Sequence, residues 1–296
     1  MLRLFAYLAI VGVAAGIASL VVTRPQAIPE AEIAGIAPDL ARGEQVFHAS
    51  GCASCHAAKG AEAEARLILA GGATFETPAG TFVAPNISQH PEAGIGGWSR
   101  AEIVTAVING TSPGGAHYYP AFPYGSYAKA ELADIVSLAA FLETLPEDAT
   151  PSAPHDLRFP FTIRAGIGLW KAAAVSDAWV IDARGDETLA RGRYLVEALG
   201  HCGECHTPRT ATQGLDTTRW LAGAPNPSGR GTIPNITPGA LDWTVDDLVA
   251  YLTTGFTPDF DVVGGSMASV VQNLAMLPAS DIQAIAAYLK AVPPVE

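Results

Sequence analysis

Every cysteine of this chain lies in one of two copies of a single pentapeptide, Cys52-Ala53-Ser54-Cys55-His56 and Cys202-Gly203-Glu204-Cys205-His206. Cys-x-x-Cys-His is the pattern for covalent attachment of haem c. The two thiols add to the porphyrin vinyl groups as thioethers, and the histidine becomes the proximal ligand of the iron. A redox dithiol or half of a zinc site needs no histidine at the next position. A structural zinc site would also need both pairs to converge on one metal, and these pairs lie 150 residues apart, one in each half. The motifs therefore predict two covalently bound haem c groups, attached through Cys52, Cys55, Cys202 and Cys205, with His56 and His206 on the irons. Electron transfer is the work such a chain would do.

At 296 residues the chain has the length of two domains and a linker. Its 30 Gly and 22 Pro imply many loops around small cores that haem would help to fill. A net charge of −12 argues against nucleic acid as a partner, since phosphates would repel the surface. The same charge is compatible with steering toward a basic partner face, or with a simply solvated surface.

The N-terminus sets the compartment. Arg3 precedes an uncharged run from Leu4 to Val22, 19 residues, which Arg24 and Pro25 close. That length suits a transmembrane helix, with a signal peptide cleaved near Gly16-Ile17-Ala18 as the alternative. Either way the chain is exported. Location at the inner membrane, anchored by residues 1–24 with the haem domains in the periplasm, is the expectation.

An internal repeat of roughly 150 residues organises the rest. Arg42-Gly43 and Arg191-Gly192 each lie in the helix before a motif. Pro85-Asn86-Ile87 recurs as Pro234-Asn235-Ile236, and Trp98-Ser99 as Trp243-Thr244. The hydroxyl residues read as helix N-caps, and Gly110 and Gly255 as stops. The last helix of each half carries one apolar face, Ile135, Leu138, Leu142 and Leu145 against Ile282, Ile285, Leu289 and Val292. The predicted fold is all-α: two tandem cytochrome c domains after the N-terminal helix. Their boundaries are 38–148 and 183–296, with a tether at 25–37 and a Pro-rich linker at 149–182. A short amphipathic stretch within the linker, Thr162 to Ala174, reads as a helix that braces the domains or lies on a membrane surface.

Candidates for a second axial ligand are few, because the chain has three Met. Met1 belongs to the export segment. Met267, in Gly264-Gly265-Ser266-Met267, stands in a loop that can reach the distal side of the second haem. Met276 reads as a core residue. The offset from Trp98 to Trp243 places Phe122 opposite Met267, and a phenyl ring cannot ligate iron. His117 is then the nearest candidate for the first haem, with a surface or propionate contact, or an open iron, as alternatives. Bis-His ligation would lower the first potential relative to the second, so that electrons would run from the first haem to the second. Trp98 and Trp243 are candidate donors to haem propionates, with core packing as the alternative. Pro85 and Pro234 are candidate carbonyl acceptors behind His56 and His206.

With both motifs, both Pro-Asn-Ile repeats, Tyr119-Pro120-Ala121-Phe122-Pro123-Tyr124, Ser126-Tyr127, and Phe159-Pro160-Phe161 with Ile163-Arg164 and Trp170 in view, the chain resembles a known family. It is similar over 38–296 to the cytochrome c subunits of bacterial membrane-bound alcohol, aldehyde and gluconate dehydrogenases. That resemblance implies electron flow from a dehydrogenase or quinol-linked donor to an oxidase or soluble cytochrome. It departs from the family twice, with two haem motifs rather than three and with Phe122 where the loop usually presents Met. The alternative functions are a dihaem enzyme, of peroxidase or thiosulfate-oxidising type with an open first haem, and a wiring subunit of a larger respiratory complex.

Overall fold

The computed structural model describes residues 2–296; Met1 of the expected export segment lies outside the described residues. The first half holds α1 (Leu2–Val22), α2 (Glu30–Ile33), α3 (Leu40–Ala49), α4 (Cys52–His56), α5 (Arg100–Asn109), α6 (Tyr124–Tyr127) and α7 (Leu132–Leu142). Strands β1 (Thr74–Thr77) and β2 (Gly80–Val83) lie between α4 and α5. A connector follows with β3 (Asp156–Leu157) and α8 (Gly166–Ala174). The second half holds α9 (Glu187–Arg193), which runs on as a π-helical turn over Tyr194–Leu199, then α10 (Gly203–His206), β4 (Ala224–Pro225), β5 (Thr232–Ile233), α11 (Val245–Thr254), α12 (Ser266–Leu274) and α13 (Ala279–Ala291).

Each half is built on one close helix crossing. The repeated glycines sit where the first and last helices meet. A Cβ on Gly43 would come 2.2 Å from the Ser137 carbonyl oxygen of α7, and one on Gly192 would come 2.0 Å from that of Ala284 on α13. The arginine before each glycine locks the crossing. Arg42 Nε donates to Asp134 at 2.8 Å, and Arg191 grips Asp281 through Nε at 2.9 Å and Nη2 at 2.7 Å. Such two-pronged pairs fix orientation as well as distance.

Local chemistry sets the remaining helix ends. Asp39 and Asp186 accept from the backbone N–H groups of Arg42 and Leu189. Ser99 with Glu102, and Thr244 with Asp247, form capping boxes at the starts of α5 and α11. Gly110 (φ 54°) and Gly255 (φ 78°) close the same helices in the left-handed region.

The expectation of an all-α fold is corrected by the sheets. β1 and β2 pair antiparallel, with Thr74 opposite Val83 and Thr77 opposite Gly80, and β3 of the connector adds to the other edge of β2. Phe75, Thr77, Thr81, Phe82 and Val83 are the β-branched and aromatic types that fit a pleated surface. Gly80 is required there, because a Cβ would lie 2.3 Å from the Asp156 carbonyl oxygen. β4 and β5 make a second, two-stranded sheet. The expected transmembrane anchor is corrected as well. Among the described residues no helix is long and apolar enough to cross a membrane. Met276 is 61% exposed, not a core residue.

Buried apolar side chains from both halves join in one cluster, among them Phe47, Leu69 and Ile135 from the first and Leu195, Leu221 and Tyr288 from the second. Polar links reinforce this contact. The Tyr194 hydroxyl donates to Asp134 at 2.6 Å, joining the Arg42 pair across the halves. Lys129, with 9% of its side chain exposed, pairs at 3.3 Å with the fully buried Glu197. Glu197 also accepts from the backbone N–H groups of Val180 and Ile181 and from the Tyr288 hydroxyl, which accepts from the Trp220 indole. The connector touches both sides: Lys171 donates to the Asn109 carbonyl and Trp170 to that of Thr212.

Gly192→Ala is expected to lower the denaturation midpoint, with a loss of about 1–3 kcal/mol from forcing α9 and α13 apart. Gly166→Ala, where a Cβ meets nothing within 4 Å, serves as the neutral control. Lys129→Met is expected to destabilise by at most about 3–5 kcal/mol, because three other donors still hold the buried Glu197 carboxylate. Urea titrations of the variants measure both effects.

Candidate functional site

Each Cys-x-x-Cys-His motif forms a single helical turn at the end of the helix that carries the glycine crossing. A left-handed residue turns the chain between the two helices, Gly51 (φ 62°) in the first half and His201 (φ 41°) in the second. Arg42 precedes Cys52 by ten residues, whereas Arg191 precedes Cys202 by eleven. The extra residue is absorbed by the π-helical turn Tyr194–Leu199, the usual structural outcome of a one-residue insertion into a helix.

A loop pair supports each histidine from below. The carbonyl of His56 accepts from Gly71 N–H at 2.7 Å, and that of His206 from Gly223 N–H at 2.7 Å. His56 Nδ1 lies 2.8 Å from the Pro85 carbonyl oxygen, and His206 Nδ1 lies 2.9 Å from that of Pro234. An Nδ1–H that donates to a carbonyl fixes the tautomer and leaves the Nε2 lone pair free for a metal. Burial holds both imidazoles below the ordinary histidine pKa, with the proline carbonyls opposing that shift, so they stay neutral near pH 7.

The asparagine of each Pro-Asn-Ile repeat ties this loop to the end of its half. Asn86 Nδ2 donates to the carbonyls of Asp148 and Thr150, both at 2.8 Å, and its Oδ1 accepts from Ser88 N–H. Asn235 Nδ2 donates to the Val295 carbonyl at 2.7 Å, and its Oδ1 accepts from Thr237 N–H. The repeated asparagine is thus a clamp, and its recurrence after the proline was the sequence signal for it.

The thiols sit in apolar surroundings. Burial pushes Cys52 and Cys202 up to about 12, and Cys55 up to about 11 with the neighbouring Cys205 adding to the effect. Burial also raises Cys205. Such positions disfavour thiolates, the form zinc requires, and suit the uncharged sulfur of a thioether. Among the described residues no group of three or more His, Cys, Asp or Glu gathers as a metal site. Two neutral sulfurs and one tautomer-fixed imidazole per motif fit covalent haem c.

The two motifs adjoin. His201 Nε2, next to Cys202, approaches the Ser50 carbonyl oxygen at 3.3 Å, and its ring stands edge-on to Tyr127 at 5.7 Å. Tyr127 OH donates to the same carbonyl, and Ser126 Oγ donates to Glu204 within the second motif. In the other direction Ser269 Oγ and Asn273 Nδ2 of α12 donate to Ser54 Oγ within the first motif, at 2.9 and 2.7 Å. His201, Glu197 and Lys129 escaped the sequence reading. The only hint was Glu197, a lone charge in the apolar run Leu195 to Leu199.

The remaining candidates fall as follows. Met267 is half-buried in the first turn of α12, rather than in a free loop. Phe122 packs against the rings of Tyr118, Tyr124 and Tyr127. His117 engages protein atoms at both ring nitrogens, Nε2 at 2.7 Å from the Thr23 carbonyl oxygen and Nδ1 at 3.3 Å from Lys171 Nζ. Trp98 and Trp243 are half-buried against the core, and among the described residues neither indole N–H has a protein acceptor; Trp243 stands edge-on to Tyr251.

Paired haem-attachment turns, each with a carbonyl-held histidine, define a c-type cytochrome. Residues 40–146 match the cytochrome c family model, and a cytochrome c domain carries covalently bound haem c. The chain is 54% identical over 282 residues to a diheme cytochrome c-type protein of Cereibacter sphaeroides, covering 95% of each chain. It belongs to the dihaem c-type cytochromes and is similar to the electron-transfer subunits of dehydrogenase complexes. It is 38% identical to the fructose dehydrogenase cytochrome subunit of Gluconobacter japonicus and 35% identical to the gluconate 2-dehydrogenase cytochrome c subunit of Pantoea cypripedii. These two alignments cover 86% and 85% of this chain, which spans only 53% and 59% of those subunits.

Asn86→Ala is expected to cost about 1–3 kcal/mol, since it strips partners from buried backbone groups. It should also expose the Pro85 loop, read as faster amide exchange at Gly71 and Ile87.

Proposed function

We propose that this protein is a periplasmic two-haem electron carrier that accepts electrons from a dehydrogenase and delivers them to an oxidase or a soluble cytochrome. The observation that carries the reading is the contact between the two motifs, through His201 on Ser50 and through α12 on Ser54. Two separate one-haem domains have no need of such contacts. A path between sites does, because it needs them held at fixed separation.

Haem c supplies one-electron redox chemistry when bound at each motif. The chain's own residues do the rest. Cys52 and Cys55, and Cys202 and Cys205, anchor the group in each half. His56 and His206 offer Nε2 as proximal ligands, oriented by the Pro85 and Pro234 carbonyls. Met267, in the first turn of α12, would offer its thioether sulfur to the iron in the second half. Trp98 and Trp243, whose indole N–H groups have no acceptor among the described residues, are donors available to haem propionates. The dehydrogenase donor is supported by the names of the fructose and gluconate dehydrogenase cytochrome subunits. The periplasm is supported by the chemistry of haem c attachment, which in bacteria is completed outside the cytoplasm.

A second reading, small-ligand or peroxide chemistry at the first haem, is favoured by one observation. Phe122 occupies the place that corresponds to Met267, and both nitrogens of His117 are engaged by Thr23 and Lys171.

Mass spectrometry of the denatured protein is expected to find two covalent haems, and one after Cys52→Ala/Cys55→Ala. Met267→Ala is expected to convert one low-spin ferric EPR signal to high spin, while His117→Ala leaves the spectrum unchanged. A signal lost in His117→Ala would make His117 a ligand and remove the second reading.

A further inference from the structure

The repeat brings the same loop to the surface twice, and only one copy is covered. After α5, Thr111 bridges to His117, and Tyr118 N–H donates to the Gly110 carbonyl at 2.8 Å. After α11, Phe256 bridges to Val262 in the same manner, and Val263 N–H donates to the Gly255 carbonyl at 2.7 Å. In the first half the chain itself roofs this loop. Thr23 meets His117 Nε2, Arg164 donates to the His117 carbonyl, and Lys171 donates to the carbonyl of Asn109 just before it. Nothing does so in the second half among the described residues. There Phe260 is 86% exposed, Val262 69% and Phe256 50%.

The uncovered copy is also the more apolar one. Phe256, Phe260 and Val262 stand where the first half has Thr111, Gly115 and His117. An apolar loop left open where its covered twin is polar inverts the ordinary distribution of side chains. Asp259 and Asp261, both exposed, flank Phe260. The loop runs through Val263 into the first turn of α12, which carries Met267, and the Val263 side chain leaves no room for a Cβ on Gly255. The surface is therefore continuous with the turn that carries Met267, the residue that would hold the second haem's iron.

We infer that the loop Phe256–Val262 is the docking surface for a redox protein whose electron-transfer edge is an apolar patch ringed by lysine and arginine. The inference rests on the electron-carrier reading and names the partner that reading leaves open. Phe260 supplies the buried anchor of the contact, and Asp259 and Asp261 supply the charge that steers and orients it. The same two carboxylates, with a net charge of −12, repel an anionic membrane surface and so select the basic protein over lipid. A first-half loop already roofed by Arg164 and Lys171 offers no equivalent, so the exchange is confined to the second haem.

The test is stopped-flow oxidation of the reduced, fully haem-loaded chain at low ionic strength with two oxidants. One is a small basic cytochrome c with a lysine-ringed haem edge; the other is ferricyanide. Asp259→Lys/Asp261→Lys is expected to slow the reaction with the basic cytochrome at least about ten-fold, and Phe260→Ser to slow it several-fold. Neither variant is expected to slow ferricyanide, and the two proteins are expected to give wild-type haem spectra. Unchanged rates with the basic cytochrome overturn the proposal. A shift in oligomeric state in Phe260→Ser also overturns it, by assigning the loop to a second copy of this chain. Failure of the wild-type protein to reduce even ferricyanide overturns the electron-carrier reading itself, and is distinct from failure of the docking surface.

Discussion

The close crossing at a glycine is the constraint on which each half of this molecule depends. Gly43 lets α3 press against the backbone of α7, and Gly192 lets α9 press against that of α13. The arginine beside each glycine then reaches an aspartate at the start of the last helix and fixes the angle. A haem-attachment turn begins nine residues after Gly43 and ten after Gly192, just past the end of the helix that carries the glycine, so its thiols and imidazole inherit a defined position. The histidine then finds a proline carbonyl from the far side, held by an asparagine clamped to the end of the half. First helix, last helix and loop thus converge on one side chain.

Joining the halves required departures from the repeat. One extra residue before Cys202 is taken up as a π-helical turn, and that turn carries Tyr194 and Glu197. Tyr194 reaches Asp134 and Glu197 reaches Lys129, both in the first half. His201 takes a left-handed conformation where the first half uses Gly51, and its ring reaches Ser50. A non-glycine residue persists in that region only where its surroundings hold it. The departures from symmetry are therefore concentrated where the two motifs meet. The connector acts in the same sense, since it donates hydrogen bonds to carbonyls of both halves and roofs one loop while leaving its twin open.

Much of the site could be read directly from the chain because its chemistry is local. The motif places two thiols and an imidazole within one turn. Ser99, Thr244, Gly110 and Gly255 cap helices by their own side chains or by their lack of one. The Pro-Asn-Ile repeat pointed to the carbonyls behind His56 and His206. The strands were missed because they are two to four residues long, too short for alternation to stand out. The expected N-terminal anchor is overturned because, among the described residues, no helix is long and apolar enough to cross a membrane. Met276 was taken for core because a helical neighbourhood does not say which face turns inward.

What the sequence alone determined is the cofactor chemistry, the two-fold repeat and the ends of the principal helices. Each of these follows from contacts between residues near one another along the chain. Only the tertiary structure decided that the halves share one core, that α12 reaches back to Ser54, that Glu197 lies buried beside Lys129, and that one of two equivalent loops is open. Those depend on pairs more than forty residues apart, whose meeting is governed by packing rather than by spacing. The same reason separates His117 from Val262, which occupy one position in the repeat and have different neighbours in space.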